Sequence, residues 1–184
     1  MSMFRGFIAI DVDTFPKIIE FENDIKSCGA NVKLVEPKNI HITLRFLGDT
    51  EESLTKEIEI ILKDTVKDVV PFNIQLKSAG VFPNRNYIKI IWIGIKQGEL
   101  LGTIAHTLNK QISTLGFHKE KRNFSPHLTI ARVKTAKNKE RLLQIIEKYI
   151  DVEFGVIRVN TIKLKKSVLT SQGPIYTTLK EVSF

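Results

Sequence analysis

The order helix, glycine, basic loop, His-x-Thr strand and helix occurs twice along the chain, and this duplication restricts the fold more than any single stretch. Gly29 stands 12 residues before His41, and Gly116 stands 11 before His127. Two copies are too few for a solenoid, so the expected product is a pair of matched α+β lobes related by a pseudo-twofold axis. No Pro/Gly/Ser-rich or low-complexity tract separates them. The expectation is therefore a single bilobal domain over residues 1–184, with two antiparallel-rich sheets facing a central cleft and helices packed outside.

The local signals fill in this frame. The apolar stretch Phe4 to Val12 reads as a strand, and Asp13-Thr14-Phe15-Pro16 opens a helix, with Asp13 or Thr14 as cap and Pro16 in the first turn. That helix runs from Phe15 to about Ser27 with Ile18, Ile19, Phe21 and Ile25 on one face, and Gly29 ends it. A short strand at Val32 to Val35 and a Pro37-Lys38-Asn39 turn follow. The strand His41 to Leu47 is expected to close at Gly48-Asp49, and Glu51 to about Val69 has helical periodicity. Strands at Phe72 to Val81 and Tyr87 to Ile95 precede a helix from Leu100 to Gly116. After the His127 strand come a helix from Asn138 to Tyr149 and strands at Phe154 to Lys165 and Ile175 to Ser183, which complete the second half.

Bulk properties narrow the class. A chain of 184 residues can bury roughly 70% of its unfolded surface, so no disulfide or metal staple is required. The single cysteine, Cys28, points to a reducing, cytoplasmic setting. The apolar run Phe7 to Val12 is far short of the ~20 residues that span a bilayer, and it lacks a signal-peptide pattern. A formal charge of +8, from 28 Lys+Arg against 20 Asp+Glu, favours polyanionic partners such as nucleic acid.

Side chains alternate along a strand, so His41, Thr43 and Arg45 are expected on one face and Ile42, Leu44 and Phe46 on the other. The second segment repeats this, with His127 and Thr129 opposite Leu128 and Ile130. Two imidazoles facing each other across a cleft suit phosphodiester cleavage: one takes a proton from the nucleophile and the other protonates the leaving oxygen. A threonine two residues along can donate its hydroxyl to non-bridging phosphate oxygens. Arg132 adds a bidentate phosphate donor, but strict alternation aims it away from His127 unless a bulge intervenes. An isolated His-x-Thr is ordinarily surface; equivalent placement in a repeated order reverses that reading. Zinc is disfavoured because ligands at metal spacing are missing around both segments. His106 in a helix and His118 in a basic loop read as solvated.

The segments His41-Ile42-Thr43-Leu44-Arg45-Phe46-Leu47-Gly48 and Ser125-Pro126-His127-Leu128-Thr129-Ile130-Ala131-Arg132 resemble the two signature motifs of the two-histidine phosphoesterase superfamily. The match is closest to its RNA 2',3'-cyclic phosphodiesterase branch, also called 2'-5' RNA ligase. Arg5-Gly6-Phe7-Ile8-Ala9-Ile10-Asp11, Gly80-Val81-Phe82-Pro83, Ser167-Val168-Leu169 and Gly173-Pro174-Ile175-Tyr176 extend the resemblance over nearly the whole chain.

The resemblance implies hydrolysis of an RNA terminal 2',3'-cyclic phosphate to a 2'-phosphomonoester without metal or cofactor, and a cytoplasmic monomer with no membrane partner is expected. It implies His41 as general acid, His127 as general base, and Thr43 and Thr129 as phosphate grips. Arg132, Phe7 and Arg45 are substrate-binding candidates, Phe7 because aromatics stack on unpaired bases. The cations of Lys119-Glu120-Lys121-Arg122 and Arg85 are expected either to track the RNA backbone or to form a solvated surface. The same histidines run backwards would join RNA ends through a 2'-5' linkage, a reaction that dilution disfavours. A non-catalytic RNA-end or nucleotide-binding module is the remaining alternative; its binding would survive loss of both histidines.

Overall fold

The computed structural model describes residues 2–184. Nine strands form two antiparallel sheets. The first has the order β3 (His41–Glu51), β1 (Met3–Asp11), β8 (Thr161–Leu169), β9 (Pro174–Ser183), and the second the order β2 (Val32–Leu34), β6 (His127–Val133), β5 (Ile88–Lys96), β4 (Phe72–Pro83), β7 (Glu153–Val159). The fold class is α+β.

Four α-helices cover the outer faces, and each does so with an apolar stripe at helical spacing. In α1 (Pro16–Ser27) the stripe is Ile18, Phe21 and Ile25; in α2 (Thr55–Val66) Ile58, Leu62 and Val66; in α3 (Glu99–Ile112) Leu101, Ile104, Leu108 and Ile112; in α4 (Lys139–Lys148) Leu142 and Ile146. Ile19 turns out to solvent. Pro16 occupies the first turn of α1 as expected, but the flanking position falls to Phe15 with no side-chain cap, so neither Asp13 nor Thr14 serves. Gly116, at φ +91, ends the turn that follows α3 in a conformation that L side chains avoid.

The lobes are not the two halves of the chain. β8 comes from the C-terminal end yet pairs onto β1, with β9 beyond it, and β2 comes from the N-terminal part yet pairs onto β6. The helices interlock likewise: α1 packs with α4 over β7 and β4, whereas α3 packs with α2 over β3 and β9. The stretch Phe154 to Lys165, expected as one strand, is two. β7 ends at Val159 in the second sheet, the chain turns at Asn160, and β8 begins at Thr161 in the first.

Three bulges matter for function, because each extra residue reverses which side chains share a face. Against β1, Ala9 faces Thr43 and Ile8 faces Arg45, so Leu44 is extra; Phe7 faces Phe46 and Gly6 faces Gly48, so Leu47 is extra. Gly48, at φ +73, lets β3 run on to Glu51 where the sequence suggests a stop. Against β5, Trp92 faces Thr129 and Ile91 faces Ala131, so Ile130 is the third extra residue.

Candidate active site

The two His-x-Thr strands are copies of each other down to the bulge. Ile42, Leu44 and Arg45 are buried while Phe46 is exposed, and Leu128, Ile130 and Ala131 are buried while Arg132 is exposed. Ile130 thus returns Arg132 to the face of His127 and Thr129, which supplies the irregularity that strict alternation lacked. Its charge reaches across to act on His41 of β3 and Tyr176 of β9. β3 and β6 lie against each other, so the two polar faces meet at one cleft.

The imidazoles are held alike. His41 Nδ1 lies 2.7 Å from the Asn39 carbonyl and His127 Nδ1 lies 2.7 Å from the Ser125 carbonyl, in each case two residues back. A carbonyl only accepts, so Nδ1 carries the hydrogen in both rings and Nε2 is left for the cleft. The Asn39 side chain is itself buried and donates to the Pro174 carbonyl at 3.0 Å, which fixes the loop that holds His41. Among the described residues neither Thr43 nor Thr129 spends its hydroxyl on a protein partner, and both are half-buried.

Aromatic rings fix each imidazole from the side. Phe7 and Tyr176 stand 5.1 and 5.3 Å from the His41 ring, and Phe82 stands 5.0 Å from His127. Trp92, opposite Thr129, lies 5.3 Å from Phe82. A Cβ at Gly80 would fall 2.2 Å from the Trp92 ring, so only glycine lets the indole lie flat on β4.

Two expected substrate contacts are corrected here. Arg45 is 7% exposed and donates to the His118 carbonyl behind β3, because the bulge at Leu44 turns it away from His41. Phe7 is 4% exposed, packed between His41 and Tyr176, so its ring supports the histidine and keeps almost no face for a base. Phe46, 64% exposed, takes the place expected of Arg45. Aligning the two motifs carries a signal for this: Arg45 matches the small apolar Ala131, and Phe46 matches Arg132. His106 and His118 are exposed.

Charge beside His41 was not legible in the motifs. Lys165, 5% exposed, pairs with Asp11, and Lys163 bridges Asp11 and Glu181 at 3.1 Å each. Asp11 is the register partner of His41. Burial pushes the Asp11 carboxyl up, but bonds and charge from Lys165 and Lys163 outweigh it and hold the group below the usual carboxylate value. Burial also dominates at His41. With the positive charges of Lys165 and Arg132 it holds the imidazole below the ordinary histidine value, against the Asn39 bond and the Asp11 charge. Among the described residues no three His, Cys, Asp or Glu side chains come together as a metal cluster.

Paired His-x-Thr strands on two antiparallel sheets that meet at one cleft are the arrangement of a two-histidine phosphoesterase. A model of the 2'-5' RNA ligase superfamily matches residues 16–167, and the chain belongs to that family. It is 45% identical over 179 residues to the RNA 2',3'-cyclic phosphodiesterase of Methanocaldococcus jannaschii, covering 96% of this chain and 99% of the relative. It is 39% identical over 178 residues to the RNA 2',3'-cyclic phosphodiesterase of Methanothermobacter thermautotrophicus, covering 96% of each. Its fold superposes on the crystal structure of TT0787 of Thermus thermophilus with a TM-score of 0.80 at 24% identity, covering 97% of each chain.

Proposed function

We propose that the chain is an RNA 2',3'-cyclic phosphodiesterase that opens a terminal cyclic phosphate to a 2'-phosphomonoester by proton transfer between its two histidines. The observation that carries this reading is the repetition of the site: two strands with the same bulge three residues after the histidine, each with Nδ1 of its histidine tied to a carbonyl and Nε2 free. In the reaction, water attacks phosphorus as the P–O3' bond breaks. His127 Nε2 takes the proton of the water, and His41 Nε2–H gives one to O3'. Thr43 and Thr129 donate to the non-bridging oxygens, and Arg132 balances the charge that develops there. Such a site uses residues of this chain alone, which fits a monomer; among the described residues no helix is long and apolar enough to cross a membrane. The buried single cysteine fits a reducing cytoplasm.

The direct test is an RNA oligonucleotide ending in a 2',3'-cyclic phosphate, incubated with the protein in EDTA. A 2'-phosphate end forms if the reading is right, and a cyclic phosphate that persists sinks it.

The state of His41 gives a second expectation. A phosphate anion beside the ring favours the protonated form, so an occupied cleft raises a pKa that burial has lowered. A general acid is lost as pH rises through its pKa. The alkaline limb of kcat/KM, which reports the free enzyme, therefore lies at lower pH than the limb of kcat. Titration of the His41 ring by NMR should move upward on addition of inorganic phosphate; a value unmoved at saturation would remove His41 from the phosphate.

A further inference from the structure

Arg132 also lines a groove of about 400 Å³ at the C-terminal end of β6. Its walls carry Lys89, Lys134, Lys137 and Lys139 together with Arg132, and no carboxylate lines it. Among the described residues none of these five cations is ion-paired, whereas Arg85 nearby is bound to Glu147 at 2.8 Å. Tyr87 also lines it, 61% exposed, with Lys89 Nζ 5.1 Å from the ring centre.

The backbone that carries Lys134, Lys137 and Lys139 is tied to the rest of the fold. Lys134 N donates to the Asn31 carbonyl at 2.8 Å, the Asn138 side chain donates to the Gly29 carbonyl at 3.0 Å, and Lys139 N donates to the Ala136 carbonyl at 3.2 Å. Unpaired like charges that line one groove repel one another, so the groove gains most from a polyanion that neutralises them. The groove beside Phe46 is a poorer match. There Lys119, Lys121 and Arg122 share the walls with Asp49 and Glu120, and Glu120 is clamped to Asn109 at both backbone N and O.

We propose that the single-stranded RNA leading to the cyclic phosphate leaves the cleft through the all-cationic groove. The four lysines neutralise its phosphates, and Tyr87 stacks on a base upstream of the reacting end. This rests on the phosphodiesterase reading above and adds to it that substrate length is recognised away from the histidines. The lysines act as a phosphate track with no base preference of their own, and the aromatic face accepts any base.

The test compares a 2',3'-cyclic mononucleotide with a cyclic-ended RNA of about ten nucleotides, for the wild type and for the combined variant Lys89→Gln, Lys134→Gln, Lys137→Gln, Lys139→Gln. The wild type should prefer the oligomer, with a steep salt dependence. In the variant, mononucleotide kcat/KM stays within about twofold while the oligomer loses most of its advantage. Its slope of log kcat/KM against log salt flattens by about 0.7 for each phosphate that a lysine no longer neutralises. Tyr87→Ala alone should cost the oligomer about fivefold or more.

An oligomer preference and salt slope unchanged in the combined variant would overturn the groove. So would equal losses for both substrates. Anisotropy binding of an oligomer ending in a 2'-phosphate reads the groove without turnover: wild-type affinity and slope in the variant also overturn it. Lysine-dependent binding with no hydrolysis by the wild type would support the groove and sink the phosphodiesterase reading alone.

Discussion

His41→Ala and His127→Ala each lower kcat by about 10²- to 10⁴-fold, the range by which positioned acids and bases accelerate proton transfer. The loss should fall on kcat more than on KM, because the proton transfers from water and to O3' are made only in the transition state. Both side chains are only half-buried, so truncation leaves no sealed cavity and unfolding temperatures should stay near the wild type. The double variant should be scarcely slower than the worse single one, since an acid and a base that act in one transition state fail together. Thr43→Ala and Thr129→Ala leave both proton carriers in place and should cost less. Near-normal rates in either histidine variant would remove that ring from the chemistry. A change confined to KM would make it a phosphate holder.

The parts of the fold fixed by local pattern were legible in the sequence. The apolar anchors Ile42 and Leu128 set the faces of the two His-x-Thr strands, Pro16 and Gly29 bounded α1, and the helix stripes followed their spacing. What escaped was set by partners distant in sequence. A bulge exists only relative to the strand opposite, so nothing in Leu44 or Ile130 alone announces that two residues will face one. From that single unknown come both the misplaced Arg45 and the unexplained reach of Arg132. The break at Asn160 is of the same kind. The apolar pattern on either side is strand-like, and only the demand of β4 on one side and β1 on the other sends the chain from one sheet to the next. The exchange of β2, β8 and β9 between lobes is likewise a property of the assembled sheets.

Removing the Asp11 carboxylate is expected to have the second largest consequence, and through two separable effects. Lys165 is almost fully buried, with Asp11 as its ion-pair partner, whereas Lys163 keeps Glu181 when Asp11 is lost. Stranding a buried ammonium is costly, and because Asp11 itself is partly exposed the expected loss for Asp11→Asn is about 2–3 kcal/mol of stability. The pair Asp11→Asn, Lys165→Met removes both charges and should recover most of that loss, since an apolar chain of similar length fills the same space. The second effect is on His41, whose pKa Asp11 raises and Lys165 lowers. Asp11→Asn should therefore carry the alkaline limb of kcat/KM to lower pH, Lys165→Met should carry it to higher pH, and the pair should fall between them. Opposite signs from two neighbours on adjacent strands separate an electrostatic role from loosened packing, which would move both variants the same way. Measured unfolding curves and pH profiles for the three variants decide it: a shared direction, or limbs that do not move, would reduce Asp11 and Lys165 to structural partners of β1 and β8.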